Sequence, residues 1–385
     1  MANPPYSVLY TAKEIPGKGR GLVAKRNLEP GTLLFEDTGL FKPASPWKMD
    51  EIKNPDLYRI LLILDDRAHF YGSSWALAFL SLHNAFPERR ELRELGVYRT
   101  NRVPTRNGKE NVFRTVSLLN HSCAPNACYS STPSGWNAFV YIIKPVAAGE
   151  EITRSYTATV GSKRTQELKE TFNFDCICSV CKTALNESVG PMPTNCVTNS
   201  KDDSDRDLFE TVSGLIVETK KLELPLQTLL LAGLGGTLLE RLGIVDDRFT
   251  QMIEEAFQVT ASQRDMQRAK LFAEWILRQH KICFGEHSLE VERANRMLEC
   301  PEEFAGRYVS KNWETPENDR PRLDTAFEHH MWLWRIDFRH DIVLMRQLPL
   351  LAKIIPSAQY ELAKFSPSRN NLTMNEKLSV ETFRP

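Results

Sequence analysis

Three cysteines within six residues, Cys176-Ile177-Cys178-Ser179-Val180-Cys181, constrain this chain more than any other segment. Thiols this close cannot all form unstrained disulfides, whereas as thiolates they supply three corners of a zinc tetrahedron. A fourth ligand is needed, and Cys123, 53 residues upstream of Cys176, is the outstanding candidate. Closing the tetrahedron pins a late loop against an earlier corner of the chain. Structural zinc contributes about 10–16 kcal/mol of apparent binding free energy, more than so short a loop gains from burial. The competing reading is a set of free thiols packed in a core. The other cysteines, Cys128, Cys196, Cys283 and Cys300, are scattered and read as buried thiols. A late cluster of Trp332, Trp334 and Phe338 beside His329, His330 and His340 repeats no ligand spacing, and helical core packing accounts for it better than a metal.

The patterning on either side of this loop differs. From Tyr6 to about Phe41, short β-prone runs (Ser7 to Tyr10, Gly21 to Ala24, Thr32 to Glu36) alternate with Gly and Pro turns. Helical spacing takes over between Pro46 and Val97, in Leu57, Ile60, Leu61 and Leu64 and then Trp75, Ala78, Phe79 and Leu82. Strand character returns at Trp136 to Ile143, and a turn at Gly149 leads into a last short strand ending near Tyr156. Beyond a polar stretch at Asn186 to Asp205 the chain reads as successive amphipathic helices. The segment Cys283 to Leu289 resembles the turn between helix-hairpin repeats of the tetratricopeptide type, without a clean repeat period.

With 385 residues the chain exceeds what one core usually organises. Its 49 basic and 49 acidic residues cancel, which removes any whole-chain electrostatic argument for nucleic acid or an anionic membrane as partner. The first twenty residues lack the apolar core of a signal peptide, so an intracellular location, cytoplasmic or nuclear, is expected. Lys163-Arg164 and Arg89-Arg90 are too short to be a nuclear address. Leu224 to Leu242, the most apolar stretch, is interrupted by Pro225, Gln227, Glu240 and Arg241 and reads as a buried helix, not a membrane span.

Three further segments carry chemistry. Gly17-Lys18-Gly19-Arg20-Gly21 lets backbone amides approach an anionic group, although a plain hairpin turn needs the same glycines. Ser117-Leu118-Leu119-Asn120-His121-Ser122-Cys123-Ala124-Pro125-Asn126 runs from apolar to polar and ends in Pro-Asn, which suits a tight turn with Asn120 and His121 at a cavity wall. Gly149-Glu150-Glu151-Ile152-Thr153-Arg154-Ser155-Tyr156 is a turn into a strand that ends in a tyrosine, a hydroxyl able to orient an amine or simply a packing residue.

In this order, over roughly Tyr6 to Thr183, the four segments resemble the SET-domain methyltransferases, specifically the SET and MYND domain branch. The resemblance implies an α+β fold: a SET-domain β pseudoknot over residues 1–157 with a helical insertion at about 42–110, and a zinc-binding post-SET segment at 158–185. A linker at 186–205, an all-α, TPR-like domain at 206–365 and a mobile tail at 366–385 follow. It implies S-adenosylmethionine as cofactor, structural zinc on Cys123, Cys176, Cys178 and Cys181, and methyl transfer to a lysine amine of a protein or peptide partner. Lys18, Gly19, Arg20, Asn120, His121 and Phe174 would bind the cofactor, Ser117, Tyr156 and Phe172 would line the lysine channel, and Tyr156 would be catalytic. A small-molecule amine as substrate, or an idle scaffold binding partners through its helical half, are the alternatives. Between Phe41 and Leu118 there is no cysteine, so the MYND module is expected to be missing. Phe172 stands where a tyrosine is common, which implies that di- or trimethylation is accessible. For Arg154, two residues before Tyr156, the sequence supplies no role.

Overall fold

The computed structural model describes residues 7–40, 74–87, 93–178, 180–181, 200–306, 310, 313–314 and 332–335. The start of the helical insertion, Cys196, His329, His330, Phe338, His340 and the tail at 366–385 lie outside them.

The first half is built from small sheets. β1 (Tyr10–Ile15) and β2 (Gly19–Ala24) form an antiparallel hairpin whose turn closes through Lys18 N–H on the Ile15 carbonyl at 3.0 Å. Gly17 takes φ +75° there, a left-handed conformation that costs a side chain but not glycine. The expected run at Ser7 to Tyr10 contributes only its last residue, because the Ser7 hydroxyl accepts the Leu9 N–H and the ladder starts at the Tyr10–Ala24 pair. β3 (Leu33–Thr38) pairs with β8 (Asn137–Ile142), which pairs in turn with β7 (Ala127–Ser131).

Between these strands come α1 (Ser74–Leu80) and α2 (Arg93–Asn101). A hairpin of β4 (Arg102–Pro104) and β5 (Glu110–Val112) follows them, so the end of the expected helical insertion is strand. The hairpin turns at Asn107-Gly108, a dipeptide suited to that geometry.

The decisive connection is made by two very short elements. β6 (Asn120–His121) lies parallel to β9 (Glu151–Arg154), with Asn120 opposite Thr153 and His121 opposite Arg154. β9 in turn pairs with β2, giving the order β1-β2-β9-β6. Three distant segments thus meet in one sheet: the glycine hairpin, the Asn-His stretch and the strand before Tyr156. Asn120 and His121 were expected in a turn; they are strand because Asn126 takes over the turn's hydrogen bonding. Its Oδ1 accepts from Thr153 N–H at 2.8 Å, and its Nδ2 donates to the Glu151 carbonyl at 2.9 Å. Leu22, Val140, Ile142 and Ile152 fill the interior beneath.

Helix α3 (Lys163–Phe172) leads into the cysteine loop and ends at Asn173 in a left-handed cap. The helical half then comprises α4 (Ser200–Lys221), α5 (Pro225–Arg241), α6 (Asp247–Ser262), α7 (Met266–Phe284) and α8 (Leu289–Glu299). α4 begins inside the stretch expected as a linker. α5 is the apolar segment read as a buried helix, and Leu229, Leu238 and Leu239 on it are buried. No helix among the described residues is long and apolar enough to cross a membrane. α6, α7 and α8 are capped by Asp246, Asp265 and Ser288, each side chain accepting a first-turn N–H. The chain turns at Gly285 between α7 and α8, in the expected Cys283 to Leu289 segment.

The two halves are joined by specific contacts. Lys144 Nζ donates to the carbonyls of Ala124 at 2.9 Å and Gly243 at 2.8 Å, and Arg106 pairs with Glu290. Cys283 is fully buried, Cys128 and Cys300 partly so, and Trp334 packs in the helical core.

Candidate active site and metal centre

Four cysteines converge below the Asn-His strand. The sulfurs of Cys123, Cys176, Cys178 and Cys181 all lie within 4.8 Å of one another, and all four residues are buried. Cys123 is 3.6 Å from Cys181 and 3.9 Å from Cys176. Those separations are far too long for disulfides, and they bracket the edge of about 3.8 Å that a tetrahedron with Zn–S bonds of about 2.3 Å requires. Hydrogen bonds from Cys123, Cys176 and Cys181 hold the Cys178 thiol far below its ordinary range. The contact with Cys123 heads those that push Cys176 far above its own. Cys178 and Cys181 held down at the expense of Cys123 and Cys176 is what four crowded sulfurs do by themselves; a divalent cation would let all four ionise. The donor set therefore fits zinc.

His121 links this cluster to the tyrosine. Its Nδ1 accepts the Tyr156 backbone N–H at 3.1 Å, and its Nε2 lies 3.4 Å from Cys123 Sγ. An accepting Nδ1 leaves the ring proton on Nε2, directed at sulfur. Burial pushes its pKa down to about 3, so the ring is neutral at physiological pH and serves as a bracket, not as an acid or base.

Tyr156 is two residues past the end of β9. Its hydroxyl donates to the Leu119 carbonyl at 2.8 Å. Its ring sits 4.9 Å from that of Phe172 and edge-on to Phe174 at 6.1 Å. The Arg154 guanidinium, missing a role in the sequence, lies 4.3 Å from the Tyr156 ring centre and 5.5 Å from that of Tyr129. Burial raises the phenol pKa and the Arg154 charge partly offsets it, so the hydroxyl stays protonated.

A second group of residues is organised by a side chain to which the sequence assigned no part. Glu151 accepts from Lys18 Nζ at 2.6 Å and from Asn120 Nδ2 at 2.9 Å. It thereby fixes a cation and an amide donor side by side at the glycine hairpin. Gly21 is required opposite: a Cβ there would come within 2.7 Å of Asn120 Nδ2. The signal that could have found Glu151 is its place next to β2, facing Val23 in register.

The remaining expected positions are dispersed. Ser117 sits in a 3₁₀ turn, with its hydroxyl donating to the Phe113 carbonyl at 2.6 Å. Gly19 is exposed at the start of β2. Arg20 points elsewhere: Nη2 donates to the Ser81 carbonyl at 2.5 Å, in an open groove of about 260 Å³ bordered by Glu14, Arg114 and Leu118. The structure therefore gathers Lys18 with Asn120, and His121 with Tyr156, Phe172, Phe174 and the cysteines.

A four-cysteine cluster thus clasps the Asn-His strand beside a half-buried tyrosine, and residues 19–157 match the family model "SET domain". Over that stretch the chain is similar to SET-domain proteins. Among relatives, it is 29% identical over 181 residues to the histone-lysine N-methyltransferase set5 of Schizosaccharomyces pombe, covering 46% of this chain and 52% of that one. It is 25% identical over 189 residues to the N-lysine methyltransferase SMYD2-B of Xenopus laevis, covering 47% and 43%. The chain thus spans about half the length of these relatives. Among solved structures, the SET domain of LSMT bound to lysine and AdoHcy is similar at 14% identity, covering 89% of this chain and 95% of that one, with a TM-score of 0.32.

Proposed function

We propose that the chain is a methyltransferase that uses S-adenosylmethionine to methylate a lysine side chain of a protein, histone or otherwise, with one structural zinc on Cys123, Cys176, Cys178 and Cys181. The observation that carries this reading is the Tyr156 hydroxyl, tethered to the Leu119 carbonyl within a cage of Phe172, Phe174, His121 and Arg154.

S-adenosylmethionine, when bound, supplies an electrophilic methyl group on a sulfonium. The residues present suit it: Lys18 offers a cation to a carboxylate, Asn120 an amide, Gly19 and His121 backbone groups, and Phe174 an aromatic face. Arg20 joins them by giving up its bond to Ser81.

The remaining demands fall on the chain's own groups. A lysine amine with a pKa near 10.4 must lose a proton before it can attack, at a cost of about 4–5 kcal/mol at neutral pH. Aromatic walls at Tyr156 and Phe172 disfavour the charged amine, and the buried Arg154 cation disfavours it further. Because the Tyr156 O–H is committed to Leu119, its oxygen faces the amine as an acceptor. One N–H bond to that oxygen aims the amine lone pair, and alignment of this kind supplies roughly 7–11 kcal/mol. Ser117, three residues before Asn120, fastens its turn through the Phe113 carbonyl. No protein nucleophile is needed.

The test is labelled methyl transfer to histones and to cell-extract proteins by the full chain, followed by mass spectrometry of the modified residue. Methyl-lysine is expected, and Tyr156→Phe should keep the wild-type melting temperature while losing most turnover. Full turnover in that variant removes the assignment of Tyr156, and wild-type protein that binds no S-adenosylmethionine with zinc present removes the activity.

A further inference from the structure

Arg206, on α4 in the helical half, is 1% exposed. Among the described residues its Nε, Nη1 and Nη2 all lack a hydrogen-bond acceptor. A buried guanidinium without an anion is among the costliest arrangements a protein can hold, because desolvation of the charge goes uncompensated. Its neighbours in sequence do not help it. Asp205 pairs with Arg241 at 2.8 Å, and Asp207 accepts from Ser162 N–H at 3.0 Å.

That second bond shows where Arg206 sits. Asp207, together with Glu210, which accepts from Val160 and Gly161 N–H at 2.9 Å each, lays the start of α4 on the loop that opens α3. Two residues further along that helix is Arg164, also buried, with Nη2 3.7 Å from Cys181 Sγ. Burial disfavours the charge on Arg206 most and Arg164 adds to that, whereas Cys123, Cys181 and Cys178 partly offset both. The cysteine cluster thus touches Arg164 directly and acts on Arg206 only at longer range, through charge and not through a hydrogen bond. Four thiolates around a divalent ion leave two negative charges, and two guanidinium groups cancel them.

We propose that Arg164 and Arg206 form the cationic outer wall of the tetrathiolate metal centre, so that the charge of that centre holds the helical half against the SET half. The inference rests on the zinc reading above. Arg206 is a positioning residue: it acts on the metal through the sulfurs and touches no reacting atom. Coupling of this kind is reciprocal, so metal occupancy orders α4 and a docked α4 tightens metal binding. The arrangement also makes the site a poor home for a cation whose charge leaves the cluster unbalanced.

The experiment uses the full chain loaded with zinc, in wild-type, Arg206→Met and Arg206→Lys forms. Zinc transfer to a chromogenic chelator reports affinity, and hydrogen exchange over residues 200–221 reports docking of α4. Arg206→Met is expected to release zinc about 10–100-fold more readily and to exchange faster over 200–221, and Arg206→Lys is expected to restore most of both. Unchanged zinc affinity in Arg206→Met, or a rise in stability as when a burdensome buried charge is replaced by an apolar side chain, overturns the proposal. Should Arg206→Met not fold, wild-type protein stripped of zinc decides: protection must fall over 200–221 ahead of 266–299, and equal or absent loss overturns the proposal. Wild-type protein holding no zinc by elemental analysis overturns the metal reading itself, a separate result.

Discussion

The cysteine knot and the helical half solve the same problem by opposite means. Around the knot, among the described residues, Leu168 is the one fully buried aliphatic residue in a cluster otherwise made of Cys123, Cys176, Cys178, Cys181, the partly buried Val180 and the half-buried rings of Tyr156, Phe172 and Phe174. In the helical half, a continuous apolar core runs through Leu229, Leu238, Ile253, Phe257, Phe272 and Ile276, with capped helices around it. The helices own enough buried apolar surface to hold together without a ligand. The knot does not, and its order depends on whatever satisfies its sulfurs. On the proposed function, a site with room for a cofactor and a lysine cannot be filled with leucine, and a metal would cross-link what packing leaves open.

The largest expected effect breaks the knot and spares α5 to α8. Cys176→Ser removes one corner of the tetrahedron, and the loss draws on the roughly 10–16 kcal/mol that a structural zinc contributes. Zinc content and cofactor binding should vanish, while circular dichroism retains the signal of α5 to α8. Collapse of that helical signal in the same variant would erase the contrast.

The mirror experiment is Phe272→Ala. Phe272 is fully buried and packs 5.0 Å from the Trp334 ring, so its truncation should cost about 3–5 kcal/mol. Denaturant unfolding should show that loss, and zinc affinity at low denaturant should stay at the wild-type level. A parallel fall in zinc affinity would mean the two regions are one cooperative unit.

Within the knot, Phe172→Tyr adds a hydroxyl to the ring facing Tyr156. It should narrow the channel and shift products from di- or trimethyl-lysine toward monomethyl-lysine, read by mass spectrometry with little change in melting temperature. A wild-type enzyme that stops at monomethyl-lysine even at long times defeats this.

The smallest effect is a pH dependence confined to the helices. Burial lowers the pKa of His280, whose Nδ1–H donates to the Glu290 carbonyl. The unfolded chain has an ordinary histidine near 6.5 and so binds the proton more readily than the folded one. Stability is therefore full above about pH 6.5 and is lost as the pH falls toward the lower folded value. Melting temperatures between pH 7.5 and 5.5 should fall, and His280→Gln should flatten that fall; an equal slope in both proteins assigns it elsewhere.

What could be read in advance differs between the regions for a physical reason. Thiol spacing near Cys176 and the apolar run of α5 are local patterns, visible without knowing the fold. The β6 strand is two residues long and carries no periodicity, and its partner β9 is thirty residues away, so nothing near Asn120 announces it. Nothing in the sequence marks Glu151, whereas in the fold Lys18 and Asn120 sit on its two oxygens. Arg154 looked like an oddity until it lay across the Tyr156 ring.

By itself, the amino-acid order determined which groups are available: four thiols able to take a metal, a glycine hairpin, an Asn-His pair, a tyrosine at a strand end and a helical second half. Tertiary structure alone decided which of them meet. It put Lys18 with Asn120, turned Arg20 toward Ser81 and buried Arg206 without an acceptor among the described residues. Composition and spacing act along the chain, whereas charge compensation, ring stacking and ligand geometry act through space over a few ångströms, and only the folded chain sets those distances.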